Sequence, residues 1–501
     1  MNNSQSMYPA LASKYATTEA MPKYQSIAPA LHFGALTCFY SIFLGADEES
    51  LQVANFLGPI FLGLLCIFCV VRSVSKNKEA ILYPLTSTLL ACAFYFGFGP
   101  LFYFFGSESS MDYVQRQFLM DQRFLLATNL LNAAFLMLVY TGHAFTIRIN
   151  RLDATIRKHI RNDSQTKIDA ALLIVFCIIV GGFAKYCIMN GQFMAFSSLF
   201  SHLTILLDIC LAPMAYLAAR GKNFPRFLFL VLFSLMFLLS LMMFSKTAMM
   251  RSAVMALTGL VLGGTRVRWV AFFSIVVFLQ FVLFATPVAN LREERNKAFG
   301  NNDSTLYDHA VLLSNMFDEG RLFENESKQT TWFLRFNYAP TQAFAIHQYN
   351  SGRTGDSYKH ILWVFVPRIF YPDKPSMTEI GVEYSTEFNG NSNNSVSIGI
   401  AGEAYHNGGV LMLTIVGLLL GVELAVFERI ASNLCSSVWL YFPCLILIVL
   451  MGTRVDGHLV PDYIGTPLII GAFYVLGRIM AMLSNSMGFS HEQEHLAGGL
   501  S

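Results

Sequence analysis

The chain of 501 residues is 54% hydrophobic and 14% aromatic, only 13% of it is charged, and its formal net charge is +2. Soluble globular proteins carry about 25% charged residues, so the composition excludes an ordinary soluble enzyme and defines a polytopic membrane protein, whose length does not convert into a soluble domain count. No nucleic-acid partner is expected. The cysteines, among them the Cys66/Cys69 pair inside GLLCIFCVV, sit in or beside apolar blocks and read as small buried residues, not as metal ligands or disulfides.

Residues 1–26 read as a disordered cytoplasmic tail without the apolar core of a signal peptide. A spanning helix needs about 20 mostly apolar residues. That criterion gives about twelve spans: 27–46, 51–71, 80–105, 123–147, 168–188, 198–219, 227–244, 247–264, 269–290, 409–428, 437–453 and 465–482. Lys and Arg cluster in the loops 72–78, 148–167, 220–226 and 265–268, each after an even-numbered span. The positive-inside rule then puts both termini, including a tail at 483–501, in the cytoplasm, and the loop 291–408 outside. In the chain order this is a nine-helix bundle over 27–290, the large external loop, and a three-helix bundle over 409–482.

No Gly-x-Gly-x-x-Gly in a strand–helix setting and no Walker loop is present. The cytoplasmic loops are too short for a nucleotide-sugar domain, so a lipid-linked substrate used on the outer face is expected. Within the large loop, 304–318 and 329–350 read as helices, the second kinked at Pro340. Residues 357–371 suit an interfacial helix with Trp363 and Phe365 at headgroup depth, stopped by Pro372 and Pro375. Residues 384–396, rich in Asn, Ser and Gly, read as a mobile surface loop or a lid.

The stretch 353–409 holds an unusual density of charge: Arg353, Asp356, Lys359, His360, Arg368, Asp373, Lys374, Glu379, Glu383, Glu403 and His406. It also carries Pro367-Arg368, then Tyr371-Pro372-Asp373-Lys374-Pro375, then Gly402-Glu403-Ala404-Tyr405 with Asn407 and Gly408. In order and spacing these three pieces resemble the signature of the oligosaccharide repeat-unit polymerases, the O-antigen (Wzy-type) polymerases of bacterial envelopes. Tyr371 stands where that pattern has Trp. The resemblance implies an all-α fold of the C-type membrane glycosyltransferases in a bacterial inner membrane. It implies transfer of a growing glycan from polyprenyl (undecaprenyl) diphosphate to a hydroxyl of the next lipid-linked unit. Its implied partners are that donor and acceptor, membrane lipid, a chain-length co-polymerase and a flippase.

Such a reaction needs cations for the diphosphate, a base for the acceptor proton and a groove for sugar. Arg and Lys can supply the positive charge, so neither a metal nor another cofactor is expected. The cation candidates are Arg368, Arg335 and Lys374, then Arg292 and Arg353; Lys246 and Arg251 form a second pair at the outer end of two spans. Asp373 and Lys374 are held between prolines. Bland readings stand beside these: headgroup anchoring for Arg368, an ion pair with Glu324 or Glu326 for Arg335, and pairing with Asp373 for Lys374.

For the base, Glu403 and His406 lie just before a helix starting near Val410, with Tyr405 and Asn407 beside them. A structural salt bridge from Glu403 to Arg368 or Arg335 is the alternative. Asp456, His458 and Asp462 have a spacing that suits a divalent cation, although sugar binding or solvation fits an outer loop better. Asp208 and Glu423, inside spans, should each pair with a basic residue or lie near a span end. Tyr338, Trp363, Tyr371, Tyr384 and Tyr405 could stack on pyranose rings or form an interfacial belt. The rival functions are an O-antigen ligase, a polysaccharide or lipid transporter, and a structural partner in envelope synthesis; unlike halves argue against transport.

Overall fold

Local side chains set the helix starts. Asp47 caps Glu48–Lys76, accepting from the Ser50 N–H at 3.4 Å and its hydroxyl at 2.6 Å. Glu48 and Glu49 fill the first turn of that helix and Lys76 the last, so the charges complement the helix dipole. Asp121 does the same for Gln122–Ile149, accepting from the Phe124 N–H at 2.8 Å.

The computed structural model describes residues 28–106, 108, 111–112, 120–149, 163–189, 200, 203–221, 223–242, 246–299, 306–321, 336–366, 371, 379–390 and 395–498. Its principal helices are α1 (Ala28–Ile42), α2 (Glu48–Lys76), α3 (Pro84–Cys92), α4 (Gln122–Ile149), α5 (Asp163–Phe176), α6 (Leu211–Arg220), α7 (Asn223–Met242) and α8 (Lys246–Leu262). There follow α9 (Val267–Phe299), α10 (Leu306–Asp318), α11 (Ala339–Asn350), α12 (Glu379–Asn389), α13 (Gly399–Leu434), α14 (Phe442–Thr453) and α15 (Thr466–Gly498). Among the described residues there is no strand. Among the described residues, eight helices are long and apolar enough to cross a membrane: 28–45, 48–76, 84–105, 122–149, 166–187, 224–242, 399–434 and 460–484. The remaining expected spans overlap Ile205–Ile209 plus α6, α8, α9 and α14, none of which is among those eight.

The core is organised on the α4–α13 pair. Gly421 lies against the Val139 carbonyl, and Gly142 against the backbone of Leu418. A Cβ at either position would collide with main chain, so small residues let the two backbones approach closely. The ring of His143 meets Glu428 across the same contact. Toward the other end, Asn132 exchanges hydrogen bonds with Gln342 at 2.9 and 3.1 Å, tying α4 to α11. All the cysteines except Cys38 are buried and none is bridged, as expected for apolar core residues.

Several expectations are corrected. Pro340 does not kink a helix; it occupies the first turn of α11, where its missing N–H costs nothing. Residues 384–389 are not a loop but the second half of α12, with Tyr384 and Phe388 buried against Phe344. The segment 357–365 is helical as expected, but as a 3-10 helix. The helix expected from Val410 starts at Gly399, so Glu403 and His406 are helical residues. Only at Gly408–Gly409 is α13 broken: Gly409 has φ +61°, and its Cα lies so near Tyr349 that a Cβ would stand 2.6 Å from the hydroxyl oxygen. That backbone conformation is open to glycine at little cost and to few other residues.

Candidate functional site

Glu403 is 1% exposed, and its carboxylate ties two distant segments to α13. The Ser357 hydroxyl, at the head of the 3-10 helix, donates to Oε1 at 2.7 Å. The backbone N–H of Leu459 donates to Oε2 at 2.7 Å. Asn407, one turn along α13, donates both to the Glu403 carbonyl at 2.8 Å and to Ser357 Oγ at 2.9 Å. The imidazole of His458 approaches Oε1 with Nδ1 at 3.9 Å. Buried carboxylates are tolerated when their lone pairs are filled, and here both oxygens accept a short bond. Such a group is well made to hold and orient a cation or a ring N–H.

The neighbouring groups are buried too. Burial, and then the charge of Glu403, pushes the Tyr358 phenol well above its ordinary range. Burial also raises the Asp456 carboxyl; Arg454 and the Tyr338 hydroxyl, which donates to Asp456 at 3.2 Å, oppose that rise. Asp462 accepts from the His458 backbone N–H at 3.0 Å and lies 3.8 Å from Arg454. These bonds fix the turn that presents His458 and Leu459 to Glu403. Asp456, His458 and Asp462 do not converge as ligands: among the described residues no group of three or more acidic, His or Cys side chains is placed to hold a metal ion.

His406, the second base candidate, is buried on the same helix. Its ring bonds to the Arg353 backbone, stands edge-on to Tyr384 at 6.0 Å, and packs on Gly355. The Gly355 N–H in turn donates to the His406 carbonyl at 3.0 Å. The ring thus anchors the 353–356 loop. Tyr405 is half-buried, packs on Tyr349 and donates to Asn350 at 3.2 Å.

Of the cation candidates, Arg353, Arg292 and Arg251 have described side chains. Arg368, Arg335, Lys374 and Asp373, together with Glu324 and Glu326, lie outside the described residues, as does the side chain of Lys246. Arg353 and Arg292 are exposed. Arg251 is held by Asp208 at 3.3 Å, and Asp208 also accepts from Ser252 at 2.7 Å. The expected cross-bundle partner of Asp208 is therefore Arg251, whereas Glu423 has none among the described residues. None of Arg353, Arg292 and Arg251 contacts Glu403. The expected sugar platforms divide as well: Tyr384 is core, Tyr338 is engaged by Asp456 and Tyr95, and Trp363 and Tyr371 stack on each other at 5.1 Å.

The sequence alone did not single out Ser357, Tyr358 or the Leu459 N–H. They lie far from Glu403 along the chain, and nothing local to them signals the convergence.

Fold and site together define an all-helical protein of the membrane type, with a buried polar cluster where a kinked long helix begins. The chain belongs to the family described as a domain of unknown function (DUF8712), which matches residues 37–442. Glu403, Ser357 and Asn407 fall inside that match, and the 454–462 turn lies beyond it. No curated protein and no solved structure matches the chain.

Proposed function

We propose that the protein polymerises polyprenyl diphosphate-linked oligosaccharide repeat units into a surface polysaccharide on the outer face of a bacterial inner membrane. One observation carries this reading. Glu403, in the Gly-Glu-Ala-Tyr piece that resembles the polymerase signature, is the residue on which the 3-10 helix at 357, Asn407 and the 454–459 turn converge. A polar cluster of that kind in a chain this apolar is costly unless it does chemistry. Twelve spans, cytoplasmic termini and an external loop fit the charge pattern of the loops, and the C-type glycosyltransferase fold follows from the resemblance. Arg368, Arg335 and Lys374 are then the cations for the diphosphate, with Asp373 beside them at the substrate site.

The test is surface-glycan length in a deletion strain complemented with wild type, Glu403→Gln or Arg368→Ala at matched membrane levels. Polymerisation requires long ladders from wild type and a single attached repeat unit from both variants. Loss of all attached glycan with accumulation of lipid-linked polymer identifies a ligase instead. An unchanged ladder in both variants, or in the deletion itself, refutes the reading.

A further inference from the structure

We infer that His458 is the residue that takes the proton of the attacking hydroxyl, and that Glu403 is the carboxylate that orients it. The inference rests on the glycosyl-transfer reading above and changes the role of Glu403 within it.

Three observations lead here. First, both oxygens of Glu403 already accept bonds of 2.7 Å and the side chain is 1% exposed. Each oxygen of the carboxylate is already taken up by a protein donor and the side chain is closed off from solvent, so it is badly placed to receive a proton from a substrate hydroxyl. Second, the ring of His406 is committed to the Arg353 backbone. Third, the imidazole of His458, 8% exposed, has no hydrogen-bond partner at either nitrogen among the described residues. An unpaired buried polar group costs about 1–3 kcal/mol, and unpaired groups in native sites commonly mark a place where something binds.

Geometry assigns the two nitrogens. Nδ1 faces Glu403 Oε1 at 3.9 Å, roughly 1 Å beyond hydrogen-bonding range. Catalytic contacts of this kind are often long without substrate and shorten when it binds. The backbone on both sides of the ring is fixed: His458 N–H donates to Asp462, and Leu459 N–H to Glu403 itself. A carboxylate on the Nδ1 side selects the Nδ1–H tautomer and leaves Nε2 as a free base. The oriented carboxylate also stabilises the imidazolium that forms, as in the general base–orienting group arrangement of hydrolases.

The step balances. The acceptor hydroxyl gives its proton to Nε2 while its oxygen bonds the anomeric carbon. The bond from that carbon to the diphosphate oxygen breaks, and its electron pair leaves with the polyprenyl diphosphate. His458 ends as the cation beside Glu403 and returns its proton to water.

The experiment uses the full chain in detergent or nanodiscs, with nitrogen-15 labelled histidine, at a pH where imidazole is neutral. The His458 signal is assigned by its absence from His458→Gln or, if that variant does not fold, His458→Asn. An Nδ1–H tautomer is expected, and an Nε2–H tautomer overturns the inference. In cells, the His458 variant present at the wild-type membrane level should leave a single repeat unit; a wild-type ladder from it also overturns the inference. A deletion strain with an unaltered ladder would sink the polymerase reading separately, since the tautomer is read without any glycan.

Discussion

The Nε2 of His143 lies 2.8 Å from a carboxylate oxygen of Glu428, a buried pair that joins α4 to α13 well along the helix from Glu403. Removing one member of a buried hydrogen-bonded pair takes a partner from the other, typically at about 1–3 kcal/mol. His143→Leu and Glu428→Leu should each lower the melting temperature of the solubilised protein strongly, and the double variant should recover much of the loss. A double variant as unstable as the sum of the singles would show that the pair is not coupled.

Arg251 and Asp208 make the parallel case. Arg251→Leu strands the Asp208 carboxylate, which would retain only the Ser252 hydroxyl and the charge of Lys185 nearby. The single variant should be less stable than Arg251→Leu combined with Asp208→Asn. Thermal melts of the three proteins decide it. An Arg251→Leu protein that melts like wild type would mean the contact carries no weight.

Gly409→Ala meets two obstacles, a positive φ and the Tyr349 ring. The backbone strain alone costs about 1–3 kcal/mol, and the clash adds to it. Tyr349→Phe should give little relief, because ring carbons lie 2.7 Å from the added Cβ, whereas Tyr349→Ala should give partial relief. Melting temperatures of the single and double variants measure both terms.

Asp456 yields a pH dependence. Burial holds its folded-state value above the unfolded one, so between the two values the folded protein binds more protons and loses stability as pH rises. Asp456→Asn keeps an acceptor for the Tyr338 hydroxyl and removes that loss. The variant should melt above wild type at neutral pH and gain nothing under acid conditions, where wild-type Asp456 is itself protonated. Melts of both proteins across pH are the measurement, and a gain that grows toward acid would contradict the sign.

Ser357→Ala deletes one of the two short donors to Glu403 and a partner of Asn407. Glycan elongation should fall, but less than with Glu403→Gln, because the Leu459 N–H still holds the carboxylate. Combined with His458→Gln, it should add little to the loss, since both act on the same oxygen. Ladder length at matched protein levels tests this.

The presence of apolar helices was largely legible in the sequence, because apolar length and the scarcity of charge speak directly to spanning segments, but their ends were not: the helix expected from Val410 starts at Gly399. Glu403 was singled out through the Gly-Glu-Ala-Tyr resemblance. Its surroundings were not: Ser357 is 46 and Leu459 is 56 positions away, and their meeting depends on how α11, the 3-10 helix and the 454–459 turn pack on α13. Tyr384 and Phe388 were hidden for another reason. They form an i, i+4 apolar pair inside a segment whose Asn, Ser and Gly content dominates any local average.

The burial of the cysteines has a practical consequence for topology. Eight of the thiols are sealed in the core, and the ninth, Cys38, lies in an apolar helix of membrane-spanning length. A membrane-impermeant maleimide therefore finds almost no target in the native chain. Single cysteines placed in the basic loops and in 291–408 can be read for sidedness against a nearly silent background, without first stripping the protein of its own thiols.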